Sequence, residues 1–222
     1  MNRTSFYLLF AVLLLAGCQT SPRFSVSGTI SHADGETLYL EHTQLTTTTI
    51  LDSCVLDGEG EFKLHAPSPE HPDFYRLRIG KRSLPLSVDS IEEIIVVSTR
   101  DSLPYTLSIQ GSEASLIMAQ LRATARTATR EELRKQAQEV IVSNPRSLAA
   151  YYAVFLKQGG EYIWNILDPA DRRMYQAVAT SFQTWMPNYE RTKVLCNQVK
   201  DVLQAERNIK NQQAMRDFID KA

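Results

Sequence analysis

The sequence predicts an α+β protein: an antiparallel β-sandwich of about eight short strands followed by an α-helical hairpin region. Three observations carry this. Between residues 24 and 111, apolar and small polar residues alternate with period two in short runs divided by turn residues. After Gly111 the apolar residues recur at helical spacing instead. Helix-start signals then stand at Ser112, Thr129, Asn144-Pro145, Asp168-Pro169 and Tyr189.

The first element is an export signal over residues 1–17, with basic Arg3, an unbroken apolar run from Phe6 to Leu15 and small residues before Cys18. The run is shorter than the roughly 20 apolar residues that a spanning helix needs. Leu15-Ala16-Gly17-Cys18 resembles the lipobox of bacterial lipoproteins. That resemblance implies cleavage between Gly17 and Cys18 and lipidation of Cys18. Two or three acyl chains, at about 0.8 kcal/mol per buried methylene, make such attachment effectively permanent. Gln19 follows where an aspartate would signal inner-membrane retention, and no acidic cluster follows Cys18. The expected location is the cell envelope, on the periplasmic face of the outer membrane, with surface exposure as the alternative. Residues 18–23 form a short tether.

The strand region, residues 24–111, begins with Phe24-Ser25-Val26-Ser27-Gly28-Thr29-Ile30 and a turn at Ala33-Asp34-Gly35. Further runs cover Thr37 to Glu41, Thr49 to Leu56, Glu61 to His65, Phe74 to Ile79, Leu84 to Val88, Glu93 to Val97 and Tyr105 to Ile109. Asp57-Gly58 is expected to close a hairpin, because glycine tolerates the positive backbone angles of such a turn.

The helical region, residues 112–203, starts at Ser112-Glu113. Thr129 and Glu132 make a capping-box pattern ahead of Leu133, Ala137, Val140 and Ile141. Asn144-Pro145 reads as an N-cap with proline in the first turn, the helix running through Leu148 and Phe155 until Gly159-Gly160. Asp168-Pro169 repeats the device, and a last helix runs from Tyr189. Residues 204–222 are largely polar and are expected to form a solvated helix or connector.

Within this frame, Phe24-x-Val26-x-Gly28-x-Ile30, Leu38-Tyr39-Leu40, Ile50-Leu51-Asp52-Ser53, Asp57-Gly58-x-Gly60-x-Phe62, Phe74-Tyr75-Arg76-Leu77 and Val88-Asp89 recur in a characteristic order. The succession resembles the uncharacterised β-domain at the N-terminus of thioredoxin-like lipoproteins in one group of Gram-negative bacteria. Gly111-Ser112-Glu113 and Asn144-Pro145-x-Ser147 extend the likeness into the helices. In those relatives a thioredoxin fold with reactive cysteines follows, whereas this sequence stops at Ala222 with no CxxC. The resemblance therefore implies location and architecture and withholds the activity; a partner in the envelope, such as a thioredoxin-like protein, is a separate expectation.

Few residues invite chemistry. Cys54 and Cys196 are the cysteines left once Cys18 is lipidated. A disulfide between them would contribute about 4 to 5 kcal/mol in the chain-entropy model, but their strand and helix patterns favour two separate thiols. His32, His42, His65 and His71 match no compact ligand spacing, so no metal and no cofactor is expected. Asp52-Ser53 lacks a Gly-x-Ser-x-Gly elbow and reads as a hydrogen-bonding corner. Asp57-Gly58-Glu59-Gly60-Glu61 lacks the full ligand series of a calcium loop. Tyr151, Tyr152, Phe155, Tyr162 and Trp164 could line a binding groove, although aromatics at helical spacing also build cores.

The leader contributes one basic and no acidic side chain, so the 205-residue mature chain carries 23 basic and 25 acidic side chains without a block of either sign. That balance gives no reason to expect a nucleic-acid partner. The expected function is a lipid-anchored, non-enzymatic interaction module attached to the membrane through Cys18. The alternative is the anchoring front portion of a truncated or split thioredoxin-like oxidoreductase.

Overall fold

The computed structural model describes residues 22–106 and 108–220. Alternating apolar side chains give β1 (Arg23–Ser31), β2 (Thr37–Thr43), β3 (Thr48–Val55) and β4 (Glu61–Pro67). They are followed by β5 (Asp73–Ile79), β6 (Arg82–Val88), β7 (Glu93–Thr99) and the short β8 (Ile109–Gln110). One sheet has the order β4-β1-β7-β8 and the other β3-β2-β5-β6. Phe24, Val26, Leu64, Ile94 and Val96 from the first meet Leu38, Leu40, Leu77, Leu84 and Leu86 from the second in one core. All ten are fully buried or nearly so, each worth about 1.5–3 kcal/mol of transfer free energy.

Three strand expectations need correction. The second sheet is antiparallel throughout, but the first is mixed, because β1 and β7 pair in parallel from Ser25 opposite Glu93 to Ser31 opposite Thr99. The chain leaves twice for the second sheet, returning first as β4, antiparallel to β1, and then as β7, which travels in the direction of β1. Gly28 permits this pairing: its φ is +141°, and a Cβ there would lie 1.9 Å from the Val96 carbonyl oxygen.

Asp57-Gly58 does not close a hairpin between paired strands. β3 pairs with β2 and β4 with β1, so the turn carries the chain from one sheet to the other. Asp57 builds it by accepting the N–H groups of Glu59 and Gly60 on Oδ1, at 3.1 and 3.0 Å. The run predicted as a strand from Tyr105 to Ile109 opens in a 3-10 turn, Leu103–Tyr105, with Pro104 in its first turn, and of its described residues Ile109 alone lies in a strand. Only Ile109–Gln110 joins the sheet.

Among the helices, α1 (Glu113–Thr127) starts at Ser112 and α2 (Arg130–Ser143) at Thr129. The Thr129–Glu132 capping box is reciprocal, with backbone-to-side-chain bonds of 2.9 and 3.3 Å. Asn144-Pro145 is not the next N-cap. Asn144 closes α2 by donating its N–H to the Val140 carbonyl, and Ser147 caps α3 (Leu148–Val154). α3 also ends early, because the chain turns into a two-stranded hairpin, β9 (Lys157–Gln158) and β10 (Glu161–Tyr162). Gly159-Gly160 makes its turn rather than stopping a helix, both residues having positive φ.

Asp168 caps α4 (Pro169–Trp185), accepting from the N–H groups of Ala170 and Asp171. α5 (Glu190–Ile219) runs unbroken through the polar stretch, and beyond Val199 only Val202 and Glu206 are even half-buried among the described residues. No helix of the described residues is long and apolar enough to cross a membrane.

α1 joins the two halves. Ala119 packs into the sandwich core while Met118 and Leu121 pack into the helical one. β5 reaches across in the other direction. Its residues Asp73, Phe74 and Tyr75 are all buried in succession, since Phe74 enters the helical core and Tyr75 the sandwich core.

Candidate functional site: an aromatic groove between sheet and helices

Where β5 is covered on both faces, a groove of about 440 Å³ lies between the second sheet and helices α3 and α5. Phe74, Tyr75 and Arg76 of β5 line one wall, and Tyr151, Tyr152, Phe155 and Tyr162 another, closed by Arg191 and Val194. The rings form a chain of tilted contacts, 5.9 Å between Phe74 and Tyr151, 5.1 Å between Tyr151 and Phe155, and 6.4 Å between Phe155 and Tyr162. Phe74 and Tyr151 are themselves buried in the helical core, and Tyr152, Phe155 and Tyr162 are the rings of this row that retain exposed surface.

The polar contacts are few and fixed. Arg191 donates to the Thr43 carbonyl and holds its guanidinium 5.0 Å from the centre of the Phe74 ring. Arg76 is neutralised by Glu41, a carboxylate that also receives Arg78 at 2.7 Å. Glu41 is only 3% exposed, so this is a buried, doubly compensated charge. Thr43 Oγ1, which also belongs to the groove wall, is buried without a hydrogen-bond partner among the described residues. Burial pushes the Tyr151 phenol up to about 12, although the Arg191 charge opposes it, and burial likewise raises Tyr152 against the pull of Arg122. Both hydroxyls stay protonated at neutral pH and act as hydrogen-bonding groups rather than bases.

At the end of the groove, Asp73 accepts from the Tyr189 hydroxyl at 2.6 Å and from its neighbour's N–H, that of Phe74, at 2.8 Å, and pairs with His42 Nε2 at 2.7 Å. Burial raises the Asp73 carboxyl, but bonds from His42, Tyr189 and Phe74 outweigh it and hold the group below its ordinary value. His42 stacks on Tyr75, and His71 meets the Tyr189 ring edge-on. The cluster fastens the N-terminal end of α5 to β5.

Tyr151, Tyr152, Phe155 and Tyr162 are thus gathered in one hollow, while Trp164 is not part of it. Trp164 is buried in the helical core, donates Nε1–H to the Ala153 carbonyl at 3.1 Å and lies under the Arg134 guanidinium. Arg191 and Thr43 were not legible as site residues, although Arg191 carried a signal. A basic side chain in the first turn of a helix runs against the macrodipole and calls for another reason to be there.

The other sequence candidates are dispersed. Cys54 and Cys196 are free thiols, the first against the sandwich core and the second against the helical core, so the disulfide alternative is not realised. Burial pushes both thiols up, Asp52 adding to the effect at Cys54. His32 sits at a positive φ after β1, His65 lies on β4, and no group of three or more His, Cys, Asp or Glu side chains among the described residues could hold a metal ion. Asp52 accepts the N–H groups of Ser53 and His65, each at 2.8 Å, and so ties edge strand β3 to edge strand β4. Gly17 and Cys18 lie outside the described residues.

Comparison with known families follows the fold closely at one boundary. Residues 24–115 match the domain of unknown function DUF4369. The DUF4369 match begins at the first core residue of β1 and ends at Ser115, where α1 meets β6. No curated protein matches the chain. Among solved structures, a 9R-lipoxygenase from Cyanothece PCC8801 shows 9% identity over 64% of this chain and 29% of its own, with a TM-score of 0.26. This chain therefore spans less than a third of that protein, and the likeness is too low to bear on fold or function.

Proposed function

We propose that this protein is a lipid-anchored, non-catalytic binding module of the bacterial cell envelope, attached through Cys18, whose aromatic groove receives an exposed apolar or aromatic segment of another envelope protein. The observation that carries the reading is the groove itself. It offers a row of aromatic faces, one fixed guanidinium and one unspent hydroxyl, the composition of a small recognition site. Neither an activated nucleophile nor a poised base lines it.

The partner class follows from the sequence resemblance, which points to thioredoxin-like lipoproteins, and the periplasmic face of the outer membrane is the location proposed with it. The cysteines of this chain support a partner rather than a catalyst, because a redox-active thiol needs a lowered pKa and burial moves Cys54 and Cys196 upward.

The test places a photo-crosslinking amino acid at Tyr162, which is half-exposed at the groove, and as a control at Arg173 on the outside of α4, in cells making the full chain. Discrete protein adducts from position 162, absent from 173 and lost in Phe155→Ala, are expected. Identical products at both positions would overturn the groove as the contact. The anchor is tested separately. Cys18→Ser should move the protein from the membrane fraction to the soluble one and abolish incorporation of labelled fatty acid, and unchanged labelling would remove the lipid from the proposal.

A further inference from the structure

A second hollow of about 400 Å³ shares Tyr152 and Phe155 with the groove but is otherwise built from different elements, namely the C-terminal half of α1, the Tyr105 turn and the β9–β10 hairpin. We infer that it is a binding site for a phosphate monoester attached to a ring or other apolar body.

Three cationic residues line it. Arg126 lies 4.1 Å above the Tyr105 ring and Arg122 5.8 Å from the same ring, while Lys157 enters from the hairpin. Arg122 and Arg126 are four residues apart on one helix, an arrangement of like charges that destabilises a helix when nothing compensates it. No carboxylate lines the hollow, and none of the three cations is in an ion pair among the described residues. The favourable end of the α1 macrodipole accounts for Arg126, but it does not account for Lys157 arriving from another element.

Lys157 is placed there firmly. Its ammonium sits 4.4 Å above the Tyr162 ring, and the neighbouring Gln158 side chain donates to the carbonyls of Ala125 and Ala128 at 3.3 and 2.9 Å. The hairpin is thereby fixed to the end of α1, and Lys157 is held at the wall of the hollow that Arg122 and Arg126 also line. A guanidinium stacked on an aromatic ring keeps its in-plane N–H groups free, and these fit two phosphate oxygens at once. Three positive charges suit a dianion better than a single carboxylate. The volume exceeds that of a bare phosphate, and Tyr105, Tyr152 and Phe155 supply a wall for what it carries.

The inference is independent of what the groove binds. Its test is calorimetric titration of the detergent-solubilised full chain with inorganic phosphate, phenyl phosphate and dihexanoyl phosphatidic acid. Saturable binding of phenyl phosphate is expected, tighter than that of inorganic phosphate. It should weaken about tenfold or more in Arg126→Gln and in Lys157→Gln, as the loss of a charge-assisted contact implies, and hold in Arg146→Gln, outside the hollow. Both altered residues are exposed, so thermal melts of the variants should match the parent. Tighter binding of the phosphatidic acid would assign the phosphate to a lipid headgroup, and tighter binding of phenyl phosphate to a soluble ligand. Absence of saturable binding by all three probes, or binding that Arg126→Gln and Lys157→Gln leave unchanged, would overturn the site.

Discussion

Tyr189 donates its hydroxyl to Asp73 Oδ1 at 2.6 Å, joining the cap of α5 to the first residue of β5. The carboxylate is buried, and its remaining partners are His42 and the Phe74 N–H. Tyr189→Phe keeps the ring and removes only the donor. A lost hydrogen bond to a buried charge costs about 1.5–3 kcal/mol. The midpoint of urea unfolding should fall accordingly with little change in slope, and an unchanged midpoint would mean that the bond contributes nothing net.

The same carboxylate sets an acid limit. Its folded-state pKa lies below the ordinary value, so the native state binds a proton less readily there than the unfolded chain does. The associated stability is fully present above the unfolded carboxylate value of about 3.9 and is lost as pH falls through the lowered folded value. Tyr189→Phe removes one cause of the lowering. Acid unfolding of the variant should therefore begin at higher pH than in the parent, as followed by circular dichroism, and coincident acid transitions would contradict this account of Asp73.

What the sequence conceals follows from the same region. Alternation is plain in Phe24 to Ile30 and in β4, because those strands face a single core. At Asp73-Phe74-Tyr75 both faces of the strand are covered, and period two no longer reports an inside and an outside. The parallel pairing of β1 and β7 depends on the path of the chain through the other sheet, which no local pattern records. Asn144-Pro145 reads locally as a cap, but Asn144 is taken by the closure of α2, and Ser147, three residues on, caps α3. The aromatic wall of the groove was legible as a cluster, apart from Trp164, whose indole N–H is taken by a core carbonyl. Arg191 and Thr43 stand 148 residues apart in the chain, so their meeting is a tertiary fact.

Ser115 fastens the helical layer to the edge of the second sheet. Its Oγ accepts the Ser87 N–H at 2.8 Å, while Ser112 Oγ donates to the Ser87 carbonyl at 2.8 Å, and all three residues are buried. An edge strand with free donors invites pairing with another chain, and here a helix start occupies the position instead. Ser115→Ala would leave a buried N–H without an acceptor, at a cost of about 1–3 kcal/mol. The Ser87 amide should also lose protection in hydrogen exchange. Because Ser112 and Ser115 share the network, with their hydroxyls 2.9 Å apart, the double alanine variant should cost less than the two single changes added together.

Glu92 works in the opposite pH direction from Asp73. Burial pushes its carboxyl up to about 7, against the bond it accepts from the Asp89 N–H, and the Asp89 charge adds to the rise. The native state therefore holds a proton that the unfolded chain releases near the ordinary glutamate value of about 4.3. The resulting stability is fully present below that value and is lost as pH rises through about 7. The residue is half-exposed, so solvent screening reduces the effect well below that of a buried group. Glu92→Gln keeps an acceptor for Asp89 and cannot ionise. Between pH 5, just above the unfolded value, and pH 8, about one unit above the folded one, the parent should lose about 2–4 °C of Tm relative to the variant, the shift that about 1 kcal/mol makes in a chain of this size. Parallel Tm profiles for the two proteins would show that Glu92 ionises with no penalty to the fold.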